Sequence, residues 1–89
     1  MSTFKVLMYV TGWCPYCMRA RSLLESKGVT IEEIDVEVVP GARAEMRSRS
    51  GRSSVPQVFI GDKYVGDCDE LHALDAAGRL DAMLKSIGV

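Results

Sequence analysis

The sequence predicts an α/β fold, a central four-stranded mixed β-sheet flanked by helices in the order β-α-β-α-β-β-α-α. Three observations predict it. Short runs rich in Val, Ile, Tyr and Phe alternate with segments of helical spacing. Glycines close the helical segments, at Gly28, Gly51 and Gly78. The pair Gly61-Asp62 separates two neighbouring short strands, as a hairpin turn does. Strands divided by helices imply parallel pairing with right-handed crossovers, and the hairpin adds an antiparallel edge.

Phe4 to Val10 is apolar apart from Lys5, and its Val, Tyr and Phe content suits a buried strand. Thr11-Gly12-Trp13 breaks it. A helical pattern then begins with Pro15 at the first helical position, where a missing N–H costs nothing. Tyr16, Ala20, Leu23, Leu24 and Lys27 follow near-helical spacing, and Gly28 is a natural stop. A second strand is expected near Thr30–Asp35, and Pro40-Gly41 marks a turn. Ala42 to Ser50 reads as a short polar helix anchored by Met46. Val55 to Ile60 reads as the third strand and Lys63 to Gly66 as the fourth. Asp67 and Glu70 have the spacing of a capping box, with Leu71 and Leu74 facing inward. Leu80, Met83, Leu84 and Ile87 recur at helical intervals, so a last amphipathic helix closes the chain.

Composition narrows the functional classes. The 89 residues, 47% of them hydrophobic, suit one domain spanning 1–89 with one compact core, since such a chain buries only about 60–65% of its unfolded surface. Eleven basic against 12 acidic residues leave a net charge of −1, which argues against a nucleic-acid binder. With 8 Gly and 3 Pro the chain is neither collagen-like nor disordered. No run of about 18 apolar residues is present, so neither a transmembrane helix nor a membrane partner is expected. The N-terminal stretch lacks a basic region and a cleavage site, so no signal peptide is read. Three cysteines are an odd number, unlike a small secreted disulfide scaffold. A reducing, cytoplasmic compartment is therefore expected, where a close thiol pair is more often catalytic or metal-binding than structural.

Cys14 and Cys17 carry the strongest chemical signal. Strand-then-helix context puts Cys14 at a helix N-terminus, where unpaired N–H groups and the helix dipole favour negative charge. Thiols in C-x-x-C pairs are acidified at such positions, which makes Cys14 a nucleophile. Cys17 lies one turn further in, less favoured as a thiolate but within reach to close a disulfide. Tyr16 offers an aromatic wall beside the nucleophile. The competing reading is a zinc site of Cys14, Cys17, Cys68 and His72; Pro15 and the aromatic neighbours count against it, and His72 is more simply a helix-surface residue. A second signal is Ser54-Val55-Pro56. If Pro56 is cis, the backbone of Val55 is turned outward and left free for an extended peptide; the alternative is a plain edge-strand proline.

These residues resemble those of the glutaredoxin family. Cys14-Pro15-Tyr16-Cys17 matches its dithiol tetrad, and Ser54-Val55-Pro56 resembles its Thr-Val-Pro segment. Val65-Gly66-Asp67-Cys68-Asp69-Glu70-Leu71 resembles its Gly-Gly-x-Asp-Asp/Glu-Leu box. The likeness runs through essentially the whole chain and is nearest to small bacterial dithiol members. It implies a thioredoxin-like fold, a cis Pro56, no covalently bound cofactor and glutathione as co-substrate. By position, Cys14 would attack and Cys17 resolve. Val55 would pair its backbone with the cysteinyl part of glutathione, Cys68 and Asp69 would hold the γ-glutamyl end, and Tyr16 would flank the mixed disulfide. The implied partners are glutathionylated or disulfide-containing proteins, and a monomer is expected.

Two positions depart from the family pattern. Thr11 stands where many members carry a Lys facing a glutathione carboxylate; Arg49 and Arg52, near the Pro56 segment, are the nearest replacements or else a solvated helix face. Asp67 replaces the second Gly of the box. As an N-cap it would occupy N–H groups that otherwise hold a carboxylate, and would repel one, weakening glutathione binding by ~1 kcal/mol. Cys68 is either a packed small side chain or a third thiol open to oxidation or glutathionylation. Two further readings remain. One is a donor reduced by a thioredoxin reductase, against which stands the lack of a C-terminal aromatic signature in Asp81–Val89. The other is a [2Fe–2S] module shared between two chains, disfavoured by Pro15 and the resolving Cys17.

Overall fold

The computed structural model describes residues 6–88; the first residues of the expected opening strand, Phe4 and Lys5, and the C-terminal Val89 lie outside them. The elements are β1 (Val6–Val10), α1 (Pro15–Ser26), β2 (Ile31–Asp35), α2 (Ala42–Ser50), β3 (Gln57–Ile60), β4 (Lys63–Gly66), α3 (Cys68–Ala76) and α4 (Arg79–Ser86). The order is the one the sequence pattern implies.

The strands form one mixed sheet in the order β2-β1-β3-β4. β1 pairs β2 in parallel, while β3 lies antiparallel to both β1 and β4. The expected crossover after β2 is therefore not a parallel one. Its geometry explains why: α2 has nine residues, about 13.5 Å of helix at 1.5 Å per residue. The six residues 51–56 that follow, free of helix and strand, can span about 20 Å when extended. The chain thus returns to the end of the sheet it left, and β3 starts where β1 finishes, with Gln57 beside Tyr9.

Alternation along β1 and β3 divides the interior. Val6, Met8, Val10, Val58 and Ile60 pack with Cys17, Ala20 and Leu24 of α1, Cys68 and Leu71 of α3, and Leu80 and Leu84 of α4. On the other face Tyr9 and Phe59 meet Val36, Ala42 and Met46. Helices thus cover both faces, as expected. Leu71 is buried and Leu74 half-buried; Met83 and Ile87 pack partly exposed against the same core.

Two local expectations differ. Tyr16 shares the apolar helical spacing of α1 but is 55% exposed, because the inward face is carried by Cys17, Ala20 and Leu24 instead. The third strand starts at Gln57 and not at Val55; Pro56 has no N–H to give the ladder. The capping box is complete: the Asp67 carboxylate accepts from Glu70 N at 3.0 Å, and the Glu70 carboxylate accepts from Asp67 N at 3.1 Å.

Candidate active site

Cys14 is the N-cap of α1, with extended backbone (φ −154°, ψ 106°). Its sulfur accepts a hydrogen bond from Cys17 N at 3.2 Å. This is one of the donors that a helix start leaves without an internal partner, and an anionic sulfur accepts more strongly than a neutral one. Pro15 at the first helical position removes a donor that has no carbonyl to meet. Cys14 is half-buried while Cys17 is buried. Burial first, then the hydrogen bond with Cys14, push the Cys17 thiol up to about 12; a hydrogen bond from the Thr11 backbone acts in the opposite direction. Cys17 is therefore held as a thiol at neutral pH.

The residues before β3 reach Cys14 because β3 runs antiparallel to β1. The Val55–Pro56 peptide is cis, and the Cys14 sulfur lies 4.0 Å from the Val55 carbonyl oxygen. Beside it opens a cavity of about 240 Å³ lined by Tyr16, Ser54, Val55, Pro56, Asp67, Cys68 and Asp69. Three separate segments build this wall: the start of α1, the loop before β3 and the first turn of α3. Tyr16, Val55, Pro56, Cys68 and Asp69, singled out in the sequence, thus come together. Trp13 (79%), next to Cys14 in the chain, and Met18 (50%), one helical turn on, are exposed.

Arg49 and Arg52 are not among the residues that form this wall. The Arg49 guanidinium donates to the Tyr9 hydroxyl at 3.0 Å and lies 4.3 Å from the centre of the Phe59 ring. The Tyr9 hydroxyl in turn donates to Glu45. These contacts tie Arg49 to the α2 face of the sheet. Arg52 reaches the rim only, bonded to both Glu70 carboxylate oxygens and 3.5 Å from the Asp67 carboxylate. That contact, with the N-cap bond, holds the Glu70 carboxyl below its ordinary value. The charge of Asp67, expected to repel an incoming carboxylate, is thus partly offset by Arg52.

Cys68 is buried, and burial pushes its thiol up, aided by Asp69 and Asp67 and opposed by Arg19. His72 Nδ1 sits 2.9 Å from the Cys68 carbonyl oxygen and 3.4 Å from its sulfur. Among the described residues no group of three or more His, Cys, Asp or Glu side chains converges as a metal site. Among them, too, no helix is long and apolar enough to cross a membrane.

Sequence reasoning passed over Ser54 and Gln57. In the sequence Ser54 stands out only as part of a motif, although it forms cavity wall. Gln57 reads as part of the third strand; the signal that sets it apart is a polar residue at the head of an apolar run.

The glutaredoxin family model matches residues 6–65. The chain is 51% identical over 81 residues to a glutaredoxin of Pseudomonas aeruginosa, covering 91% of this chain and 96% of that one. The chain belongs to the glutaredoxin family. Among solved structures, the Brucella melitensis glutaredoxin matches with a TM-score of 0.82 and 48% identity, over 97% of this chain and 94% of that one. A buckwheat glutaredoxin–glutathione complex matches with a TM-score of 0.88 and 28% identity, over 94% and 79%. As a glutaredoxin, the protein is a glutathione-dependent thiol–disulfide oxidoreductase, and its fold is the thioredoxin-like one.

Proposed function

We propose that this glutaredoxin, acting as one domain, reduces glutathione mixed disulfides through Cys14 alone and protein disulfides through Cys14 and Cys17 together. The observation that carries the reading is the placement of the Cys14 sulfur. It caps α1, lies 4.0 Å from the Val55 carbonyl and opens beside the cavity.

The Cys14 thiolate attacks the glutathione sulfur of a mixed disulfide. A Cys14–glutathione disulfide forms, the original S–S bond breaks, and the substrate thiolate leaves to take a proton from water. A second glutathione thiolate then attacks the glutathione sulfur, releasing glutathione disulfide and restoring Cys14. One glutathione thiol is oxidised for each mixed disulfide reduced, and the substrate supplies the other half of the glutathione disulfide. With a protein disulfide, Cys14 first forms a mixed disulfide with the substrate. Cys17, once it gives up its proton, attacks Cys14 and frees the reduced protein. Glutathione reduces the resulting Cys14–Cys17 disulfide.

In this reading Val55 pairs its backbone with the cysteinyl part of glutathione beside Pro56. Cys68 and Asp69 hold the γ-glutamyl end, Asp69 facing the ammonium, and Tyr16 flanks the mixed disulfide. Arg52 is the cation at the rim for a carboxylate, whereas Arg49 is engaged by Tyr9 and Phe59 and makes no contact. The buckwheat glutaredoxin–glutathione complex supports glutathione as the ligand. Glutathionylated and disulfide-containing proteins are the partners, met by a monomer in a reducing, cytoplasmic setting.

The test is turnover of a glutathione mixed disulfide coupled to glutathione reductase and NADPH. Wild type and Cys17→Ser both turn over, and Cys14→Ser does not. Retained turnover in folded Cys14→Ser refutes the assignment.

A further inference from the structure

Gln57 is the one polar residue in the buried interior among the described residues, at 0% exposure. Val58, Phe59 and Ile60 follow it in the same buried strand. A carboxamide there loses its hydration, which costs free energy unless its donors and acceptor are met. An apolar residue would avoid that cost, so the bonds Gln57 makes define what it does.

Its Nε2 donates to the Ser54 carbonyl at 2.9 Å and lies 3.3 Å from the Ser54 hydroxyl. The Tyr64 hydroxyl donates to its Oε1 at 2.6 Å. A backbone carbonyl only accepts, so the amide nitrogen must face Ser54, and the oxygen must face Tyr64. The Ser54 carbonyl therefore fixes which way the carboxamide points, and the Tyr64 hydroxyl on β4 meets the oxygen at its other end. Ser54 is exposed and belongs to the irregular residues 51–56, so no ladder bond holds it. Arg43 and Arg47 of α2 hold the neighbouring Ser53 through its carbonyl (3.2 Å) and hydroxyl (3.1 Å). Gln57 holds Ser54 itself, one residue before Val55.

We propose that Gln57 is a positioning residue for substrate: anchored through its oxygen by Tyr64, it fixes Ser54 and thereby the Val55 backbone against which the glutathione moiety lies. This rests on the glutathione reading above. The gain is preorganisation. A loop already ordered gives up less freedom when it pairs with a ligand, so the effect falls on binding.

Steady-state turnover of the mixed disulfide of glutathione and 2-mercaptoethanol tests it, on wild type, Gln57→Met, Tyr64→Phe and the double variant. Gln57→Met raises KM for the mixed disulfide about fivefold and Tyr64→Phe about two- to threefold, with kcat held within about twofold. Because Tyr64 acts through Gln57, the double variant matches Gln57→Met alone. Loss of stability by itself does not raise KM at constant kcat in a protein that remains folded. Tyr64→Phe keeps the ring and carries the test if Gln57→Met fails to fold. Unchanged KM in folded variants, or effects of the two substitutions that simply add, overturns the positioning role while wild-type turnover leaves the glutathione reading standing. An inactive wild type overturns both.

Discussion

Gly66→Ala is the substitution whose consequence is most fully set by the geometry. Gly66 ends β4 at φ +122°, a backbone region that side-chain-bearing residues rarely adopt. A Cβ placed there overlaps the Glu70 carboxylate and comes 2.9 Å from the Glu70 Cβ. Three losses follow. The backbone strain costs about 1–3 kcal/mol. Displacing Glu70 undoes its half of the capping box, about 0.5–1 kcal/mol. The exposed pairing of Glu70 with Arg52 is broken as well. The first two total about 1.5–4 kcal/mol, which lowers Tm by roughly 6–30 °C in a domain of this size. Urea and thermal unfolding of the reduced protein measure it. Adding Glu70→Ala to Gly66→Ala removes the overlap with the carboxylate, though not the 2.9 Å approach to the Cβ at position 70, so the double variant is less destabilised than the sum of the singles. The first turn of α3 forms cavity wall at Cys68 and Asp69, so KM for a glutathione mixed disulfide rises as well. A stability change under about 0.5 kcal/mol, or strict additivity in the double variant, refutes the reasoning.

Two further outcomes follow from the site. Asp67→Gly lowers KM for glutathione, but by about two- to threefold and not the roughly fivefold that 1 kcal/mol implies, since Arg52 already offsets part of the charge; an unchanged KM means the carboxylate exerts no repulsion. Cys17, held up to about 12 against an ordinary 9.0, resists iodoacetamide near neutral pH while Cys14 is modified, and peptide mapping that finds equal labelling contradicts this. The sign of the linkage follows from the raised value: the stability that Cys17 contributes is complete below about pH 9 and is lost as pH rises towards about 12. The stability difference between wild type and Cys17→Ser is therefore flat near neutrality and falls only in alkali.

The legible features are those with local physical causes. Gly28, Gly51 and Gly78 mark helix ends because each takes a positive φ there. The Asp67/Glu70 spacing announces a capping box that depends on four consecutive residues alone. Cys14 and Cys17 lie one helical turn apart, so their proximity is written in their spacing. Tyr16 shows the limit of that logic, because helical spacing says which residues share a face but not which face the core covers. Arg49 shows another. Its proximity to the Pro56 segment in sequence suggested a ligand carboxylate, yet Tyr9 and Phe59, some 40 and 10 positions away in the chain, hold its guanidinium on the α2 face. Long-range partners of that kind leave no local trace.

The direction of β3 matters most for function, and it is the feature that alternation of strands and helices does not determine. Had α2 delivered β3 parallel to β1, Gln57 would stand beside Val6 and not beside Tyr9. Three residue steps of strand separate those positions, roughly 10 Å at 3.3 Å per residue. The loop at Val55 would then lie at the far end of the sheet from Cys14, and no cavity could form between them. The six residues 51–56 that carry the chain back are thus a requirement of the site as well as a connection. They also carry Arg52, which bridges to α3, and Ser53 and Ser54, which α2 and Gln57 hold in place. The segment with no ladder bonds of its own is tied at successive residues by side chains from three elements. That concentration of side-chain bonds is what a binding loop needs in order to meet a ligand already ordered.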